Sequence, residues 1–381
     1  MGTRITLPSL ALAGILASPS PLARSSSDPG DFAAVTAGAD HTCGLTTGGR
    51  VYCWGDNAEG ELGTGSRVDA RLPTGLSSSL IFLKIDAGSR FTCGIAETGD
   101  AYCWGANDRG QLGNAATPRS LAPAAVIGGL RFRSISAGGE HTCAVSDQGV
   151  AYCWGANEEG QLGTGNTAAS SRPLAVSSDR RYLSITAGDT HTCAIAADSV
   201  AYCWGGNKLG QLGIGKRGLF TTPQAVVFYR KWSMLSAGGR HTCGVAADGR
   251  PIVYCWGDNF HGQVGGVGSA ARSRIPSFIP RTALDAPDII GVTTGRLHTC
   301  AYRRHAANGV GCWGENLDDQ LGQRTFGAYR QASAGDAHTC ALRQDGAIYC
   351  WGRNASGQLG DGTTFNERWP VRVAEPVALQ P

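Results

Sequence analysis

Apolar residues in this chain come in runs of about four to six, each bounded by Gly, Asp or Ser. Runs so short and so often interrupted predict strands, because an amphipathic helix needs ten or more residues at a 3.6 period and tolerates glycine poorly. In one stretch the runs are Phe132–Ala137, His141–Ser146 and Val150–Gly155, with a fourth near Pro123–Ile127. The arrangement then returns. A phrase of His-Thr-Cys, a short turn, Tyr-Cys-Trp-Gly and Gly-Gln-Leu-Gly occurs seven times with small departures, first from His41, Thr42 and Cys43 through Tyr52, Cys53, Trp54 and Gly55 to Gly60, Glu61, Leu62 and Gly63. Steps between successive first cysteines are 50, 50, 50, 50, 57 and 40 residues.

A unit of this length cannot cover its own apolar faces and must stack on its neighbours, so the chain predicts one array. Four short strands per unit predict an all-β fold, a seven-bladed β-propeller of four-stranded antiparallel blades. The expected domain spans residues 32–376, after a leader at 1–31 and before a tail at 377–381. The segment Pro370–Val373, beside Trp369, is expected to close the ring by pairing with Phe32–Ala37, the N-terminal strand.

Glycine and cysteine usage sharpens this picture: there are 56 glycines, and all 14 cysteines fall inside the phrase. The two cysteines of a unit are 10 residues apart in five units and 12 apart in two. Even separations place both on one face of a hairpin, directly opposite. With Cys43 opposite Cys53, a three-residue loop Thr47, Gly48, Gly49 remains, and Gly49 takes the left-handed position of a glycine bulge. Gly99, Gly149 and Gly346 recur in that slot, with Ser199 as the exception. The pairs are then non-hydrogen-bonded ones, whose side chains approach closest. Disulfides are expected at Cys43–Cys53, Cys93–Cys103, Cys143–Cys153, Cys193–Cys203, Cys243–Cys255, Cys300–Cys312 and Cys340–Cys350. A metal site of histidine and cysteine is the rival, and Phe91 in the histidine slot beside Cys93 and Cys103 argues against it. Each bridge closes a loop of about 11 residues and contributes roughly 2.5–3 kcal/mol in the chain-entropy account. Their stronger message is an oxidising compartment outside the cytosol.

The amino terminus agrees, with Arg4 before an apolar run from Leu7 to Ala17 and small residues to Ala23, the pattern of a signal peptide. That run is too short to span a bilayer, so no stable membrane insertion is expected. A secreted, periplasmic or cell-surface monomer follows. Net charge is +3, from 33 basic and 30 acidic residues, and the densest basic clusters, Arg303–Arg304 and Tyr229–Lys231, are too small for a nucleic-acid track. No Gly-x-Ser-x-Gly elbow, His-Glu-x-x-His pair or phosphate-binding Lys-Ser/Thr appears. Neither catalysis nor a metal or cofactor is expected.

Residues repeated in every unit are expected to build the ring. The seven tryptophans after the second cysteines should pack between blades, as should the aromatics at Phe32, Phe82, Phe132, Tyr182, Trp232 and Tyr329. His141, His191, His241, His298 and His338 should make hydrogen bonds at strand ends, while His261 lies outside the pattern. Recognition belongs where the period breaks. The long fifth-to-sixth step adds Val267–Asp288, and the short sixth-to-seventh step, Gln323–Ser333, lacks a Pro-x-x-Val strand. Candidate partner-binding residues are Arg274, Ile275, Phe278, Arg303, Arg304 and His305.

Unit three carries Ala137, Gly138, His141, Thr142, Ala144, Val145, Tyr152, Trp154, Gly155, Asn157, Gly160, Gln161, Leu162 and Gly163. These resemble the regulator of chromosome condensation repeat family over about 340 of the 381 residues. The resemblance implies a seven-bladed propeller. Family members include a nuclear guanine-nucleotide exchange factor, a plant light receptor and a secreted bacterial inhibitor of beta-lactamases, so the shared motif implies blades and no active residue. Cysteine usage and the leader place this chain nearest the secreted bacterial kind. A protein-binding module of scaffold, adhesion or inhibitor type is the leading expectation. A guanine-nucleotide exchange factor-like regulator and a carbohydrate-active enzyme with carboxylates at the channel mouth are the alternatives.

Overall fold

The computed structural model describes residues 31–115, 118–227, 230–266, 277–304, 309–323, 325 and 327–376. Every regular element among them is a strand. Blade three shows the plan, with strands Phe132–Ala137, His141–Ser146, Ala151–Gly155 and Ser170–Ala175 in consecutive antiparallel order. First strands of successive blades touch each other around a central channel, and fourth strands form the outer rim. One face of the ring carries the turns from first to second strand and the long third-to-fourth connections; we call it the histidine face. The opposite, hairpin face carries the second-to-third turns.

Each cysteine pair lies in register, as in Cys43 against Cys53, with Cα atoms 4.0–4.1 Å apart across all seven bridges. That separation is the closer, non-hydrogen-bonded spacing. The hairpin turns obey the bulge geometry even where glycine is missing: Gly49 has φ of 76° and Ser199 has φ of 66°.

Blades are tied edge to edge by three repeated bonds. The indole of Trp154 donates to the Gln111 carbonyl of the preceding blade at 2.9 Å, and the Thr142 hydroxyl donates to the same carbonyl at 2.8 Å. Nearer the axis, a side-chain oxygen in each first strand accepts an amide of the next, as Ser136 does from Ala187 at 3.1 Å. Trp232, 3% exposed, belongs to the core as its repeat slot implies.

Ring closure differs from the expectation. The C-terminal strand Glu367–Arg372 pairs with Ile348–Gly352 as the outer strand of blade seven, while Phe32–Ala37 is the innermost strand of blade one. Each blade is therefore one uninterrupted stretch of chain. The seam is sealed by the same side-chain bonds as the other junctions: Trp54 to the Gln358 carbonyl at 3.0 Å, Thr42 to the same carbonyl at 2.9 Å, and the Ala37 amide to the Ser333 hydroxyl at 3.0 Å. Trp369, 48% exposed, lies on the outer rim away from the seam strand.

Blade six is the irregular one, with strands Ile289–Thr294, His298–Arg303 and Val310–Gly314 and no fourth among the described residues. Blade one explains how a strand can be dropped cleanly. There the fourth strand is an excursion whose two ends meet, Ser77 N–H donating to the Gly63 carbonyl at 2.9 Å. In blade six the chain passes from Gly322 almost directly to Thr325, which makes a single bridge with Val310.

Candidate functional site

On the histidine face six Ala-Gly steps and one Thr-Gly step, Thr294–Gly295, ring the channel mouth, from Ala37–Gly38 round to Ala334–Gly335. Glycine is required there, since a Cβ on Gly138 would collide with the Gly188 carbonyl. Asp189, Arg296 and Asp336 sit at the mouth, with Arg296 3.5 Å from Asp336. Burial pushes Asp336 up to about 6, helped by the Asp189 carboxylate and opposed by Arg296. Burial likewise raises Asp189, against the pull of Arg296 and Arg240. The channel mouth is an open depression of about 70 Å³.

Deeper in the ring, Asp86 accepts the Ala137 amide at 2.8 Å and the Thr36 hydroxyl at 3.2 Å, and burial raises it to about 6. Ser136 and Thr186 hold the same place in the next two blades, so Asp86 is one member of a structural ring.

The histidines form a second belt. His41, His141, His191, His241, His298 and His338 each place Nε2 2.8–2.9 Å from the threonine hydroxyl of the following blade. Those hydroxyls donate to main-chain carbonyls, so each must accept from an Nε2–H, which assigns the tautomer. Burial lowers His141 to about 3, leaving it neutral at ordinary pH. Phe91, fully buried, interrupts the belt before Thr142.

What distinguishes one side of the histidine face is apolar exposure. The residue after the repeated Asn is Ala58, Asp108, Glu158, Lys208, Phe260, Leu317 and Ala355 in blade order. Phe260 is 60% exposed and Leu317 85%, and on the connections of blades seven and one Phe365 is 74% and Val68 73% exposed. These side chains follow one another across blades five, six, seven and one. Neighbouring polar bonds hold the loops in place: His261 to Glu315 at 3.2 Å, and Asn366 to Asp318 at 3.2 Å. Blades two to four instead carry ion pairs, Arg109 with Glu158 at 3.1 Å and Lys208 with Glu159 at 2.6 Å. The most exposed apolar side chains of this face thus lie on blades five, six, seven and one, with Leu219 of blade four less exposed at 44%.

The candidate residues chosen from the sequence fall at two ends of the ring. Phe278 begins the outer strand of blade five on the histidine face, half-buried beneath the Arg217 guanidinium at 4.7 Å. Arg303 and Arg304 lie at the hairpin face, where Arg304 N–H donates to the Asp288 carbonyl at 2.9 Å. Arg274, Ile275 and His305 lie outside the described residues. The apolar arc was missed by reading the phrase for what repeats; aligning the seven copies slot by slot exposes Phe260 and Leu317.

Closed blades, a channel ringed by Ala-Gly steps and tryptophans hooked onto the preceding blade define a regulator-of-chromosome-condensation-type propeller. A model of the RCC1-like domain matches residues 16–282, and models of the Regulator of chromosome condensation (RCC1) repeat match 329–358 and 345–379. The chain belongs to the RCC1-like domain family. Among curated proteins none matches the sequence. Among solved structures it is similar to human WBSCR16, at 21% identity and TM-score 0.75, covering 86% of this chain and 95% of that one. It is also similar to yeast RCC1 (Prp20) bound to Kap60, at 18% identity and TM-score 0.60, covering 90% and 74%. The CRINKLY WD40 ectodomain of the Arabidopsis thaliana receptor kinase ACR4 is similar at 20% identity and TM-score 0.56, covering 91% and 99%. At such identities the likeness is one of fold.

Proposed function

We propose that this chain is a protein-binding propeller of an oxidising compartment, secreted, periplasmic or displayed at a cell surface, and that it recognises its partner through the apolar arc of the histidine face. The observation that carries this reading is the arc of Phe260, Leu317, Phe365 and Val68, the most exposed apolar side chains of this face, gathered on neighbouring blades. An exposed apolar cluster rimmed by polar groups is the usual mark of a protein interface, and its large side chains are the anchors that dominate binding energy. The family offers precedent in yeast Prp20, whose structure is described with its binding to Gsp1p and histones. The exchange-factor alternative needs free thiols and a cytosolic or nuclear site, whereas every cysteine described is bridged.

The test has two arms. A photo-crosslinking residue at Leu317 should trap a protein from the source's own envelope or surface fraction, and one at Leu183, 49% exposed on blade four, should not. Equal trapping at both positions overturns the interface. Thiol titration of the natively purified protein should find none free; recovering all 14 overturns the compartment.

A further inference from the structure

We propose that the outer edge of blade six is a strand-docking site, which takes an extended segment of a protein partner as its missing fourth strand. The proposal rests on the protein-binding reading above and adds a second, distinct contact.

Main-chain chemistry comes first. Cys312 and Cys300, with Cα atoms 4.0 Å apart, form a non-hydrogen-bonded pair, so the N–H and C=O of Cys312 point away from the second strand towards the rim. In the complete blades the equivalent cysteines pair outward, Cys53 with Thr74 and Cys153 with Leu174. On the outer edge of blade six, among the described residues, only Val310 has a bridge partner, Thr325, whose hydroxyl donates to the Val310 carbonyl and accepts its amide. Continuing that ladder would set Gln323 opposite Cys312. The Gln323 N–H instead donates to the Arg368 carbonyl of blade seven at 2.9 Å, so the chain leaves the edge there.

Side chains tell the same story. Cys312 and Trp313 are half-buried, although Cys53, Cys103, Trp54 and Trp104 are fully buried in their blades. Gly311 stands where the other six blades carry tyrosine, and a Cβ built on it would touch nothing within 4 Å. The edge therefore pairs main-chain groups that no described residue bonds with open space at Gly311, where a large apolar side chain meets no clash, the combination that strand addition uses for affinity and specificity. Prolines such as Pro123 and Pro173 in complete blades show that the entering strand tolerates proline.

The edge is recessed, which decides the occupant. The outer strands of blades five and seven, Ser277–Asp285 and Glu367–Arg372, extend one strand further from the axis. Strand spacing is about 4.8 Å, so two such edges facing each other in a dimer would leave about two strand widths unfilled. A thin extended segment fits where a second copy does not.

The probe is a synthetic peptide of the blade-seven outer strand, Asn366–Ala374, which supplies both proline and tryptophan. The control is a full-length variant in which Gln323–Arg324 is replaced by the sequence Thr64–Gly75, restoring the 50-residue step and filling the edge. With wild type, we expect saturable binding and about tenfold slower hydrogen exchange at the Cys312 and Gly314 amides, both absent in the variant. Equal binding by the variant, or no slowing in wild type at saturation, overturns the proposal. Slow exchange at those amides before peptide is added also overturns it, because a segment of this chain then already occupies the edge. Crosslinking at Leu317 that survives in the filled variant, while peptide binding is lost, separates the strand site from the apolar arc; loss of crosslinking in wild type removes the arc alone.

Discussion

Thr142 and Thr192 occupy equivalent, fully buried slots, and nature has altered one neighbour of one of them. Each hydroxyl donates to a glutamine carbonyl at 2.8 Å, Gln111 and Gln161 respectively, and each carbonyl also accepts an indole N–H at 2.9 Å. Thr→Val keeps the shape and removes the hydroxyl, while the carbonyl retains its tryptophan, so the common loss is about 1 kcal/mol. At Thr192 the hydroxyl additionally accepts from His141 Nε2 at 2.8 Å. Thr192→Val strands that buried donor, a further cost of about 1–3 kcal/mol. At Thr142 the corresponding neighbour is Phe91, which has nothing to strand. We therefore expect Thr142→Val to cost about 1 kcal/mol and Thr192→Val about 2–4, read as guanidinium midpoints with disulfides intact and slopes unchanged. Placing Phe91→His beneath Thr142→Val should bring the coupling to blade two in a double-mutant cycle. Equal costs at the two threonines would show that the histidine belt adds nothing to blade stacking.

Ser199→Gly should stabilise by about 0.5–1 kcal/mol, because Ser199 holds a left-handed φ of 66° that its counterparts meet with glycine; a loss of stability refutes the bulge account. Burial lowers the folded-state values of His41 and His298 to about 4 and of His141, His191, His241 and His338 to about 3. Unfolded histidines bind protons near pH 6.5, so this contribution is whole above about 6.5 and is lost progressively as pH falls towards about 3. Asp86 and Asp336, raised to about 6, Glu61, raised to about 8, and Asp40 and Asp189, also raised by burial, act in the opposite sense but are five groups against six histidines. Denaturation at pH 5 should therefore occur at lower denaturant than at pH 7, with net proton uptake on unfolding; equal midpoints contradict it. Under limiting reductant Cys300–Cys312 should open first by mass-spectrometric mapping, since Cys312 alone among the cysteines is not fully buried; random opening refutes the bare edge.

Strand existence, blade number and disulfide pairing were legible because each rests on local arithmetic. A 50-residue period, even cysteine spacing and a bulge glycine act within one hairpin, and seven copies repeat the same instruction. Trp232 could be assigned to the core for the same reason, by its slot alone. The closing of the ring was misread because Pro370–Val373 and Phe32–Ala37 are both good strands, and strand propensity does not name a partner. Short chain connections favour pairing with the strand just before, so Glu367–Arg372 joins blade seven and the seam is left to side chains.

Recognition divides along the same line. That the sixth-to-seventh step is short was plain in the sequence, together with the missing Pro-x-x-Val segment. That the deletion uncovers Cys312, Trp313 and the open space at Gly311, recessed between two neighbours, depends on which strands lie at the rim. Phe260, Leu317, Phe365 and Val68 are far apart in the chain and stand beside ordinary turn residues. Only closure of the ring puts blade one next to blade seven and turns four scattered exposed residues into one arc. The sequence by itself determined the unit and its covalent staples, because their contacts lie within about ten residues. The tertiary structure decided the surfaces, because a surface is made by neighbours in space, and in a ring the first unit and the last are neighbours.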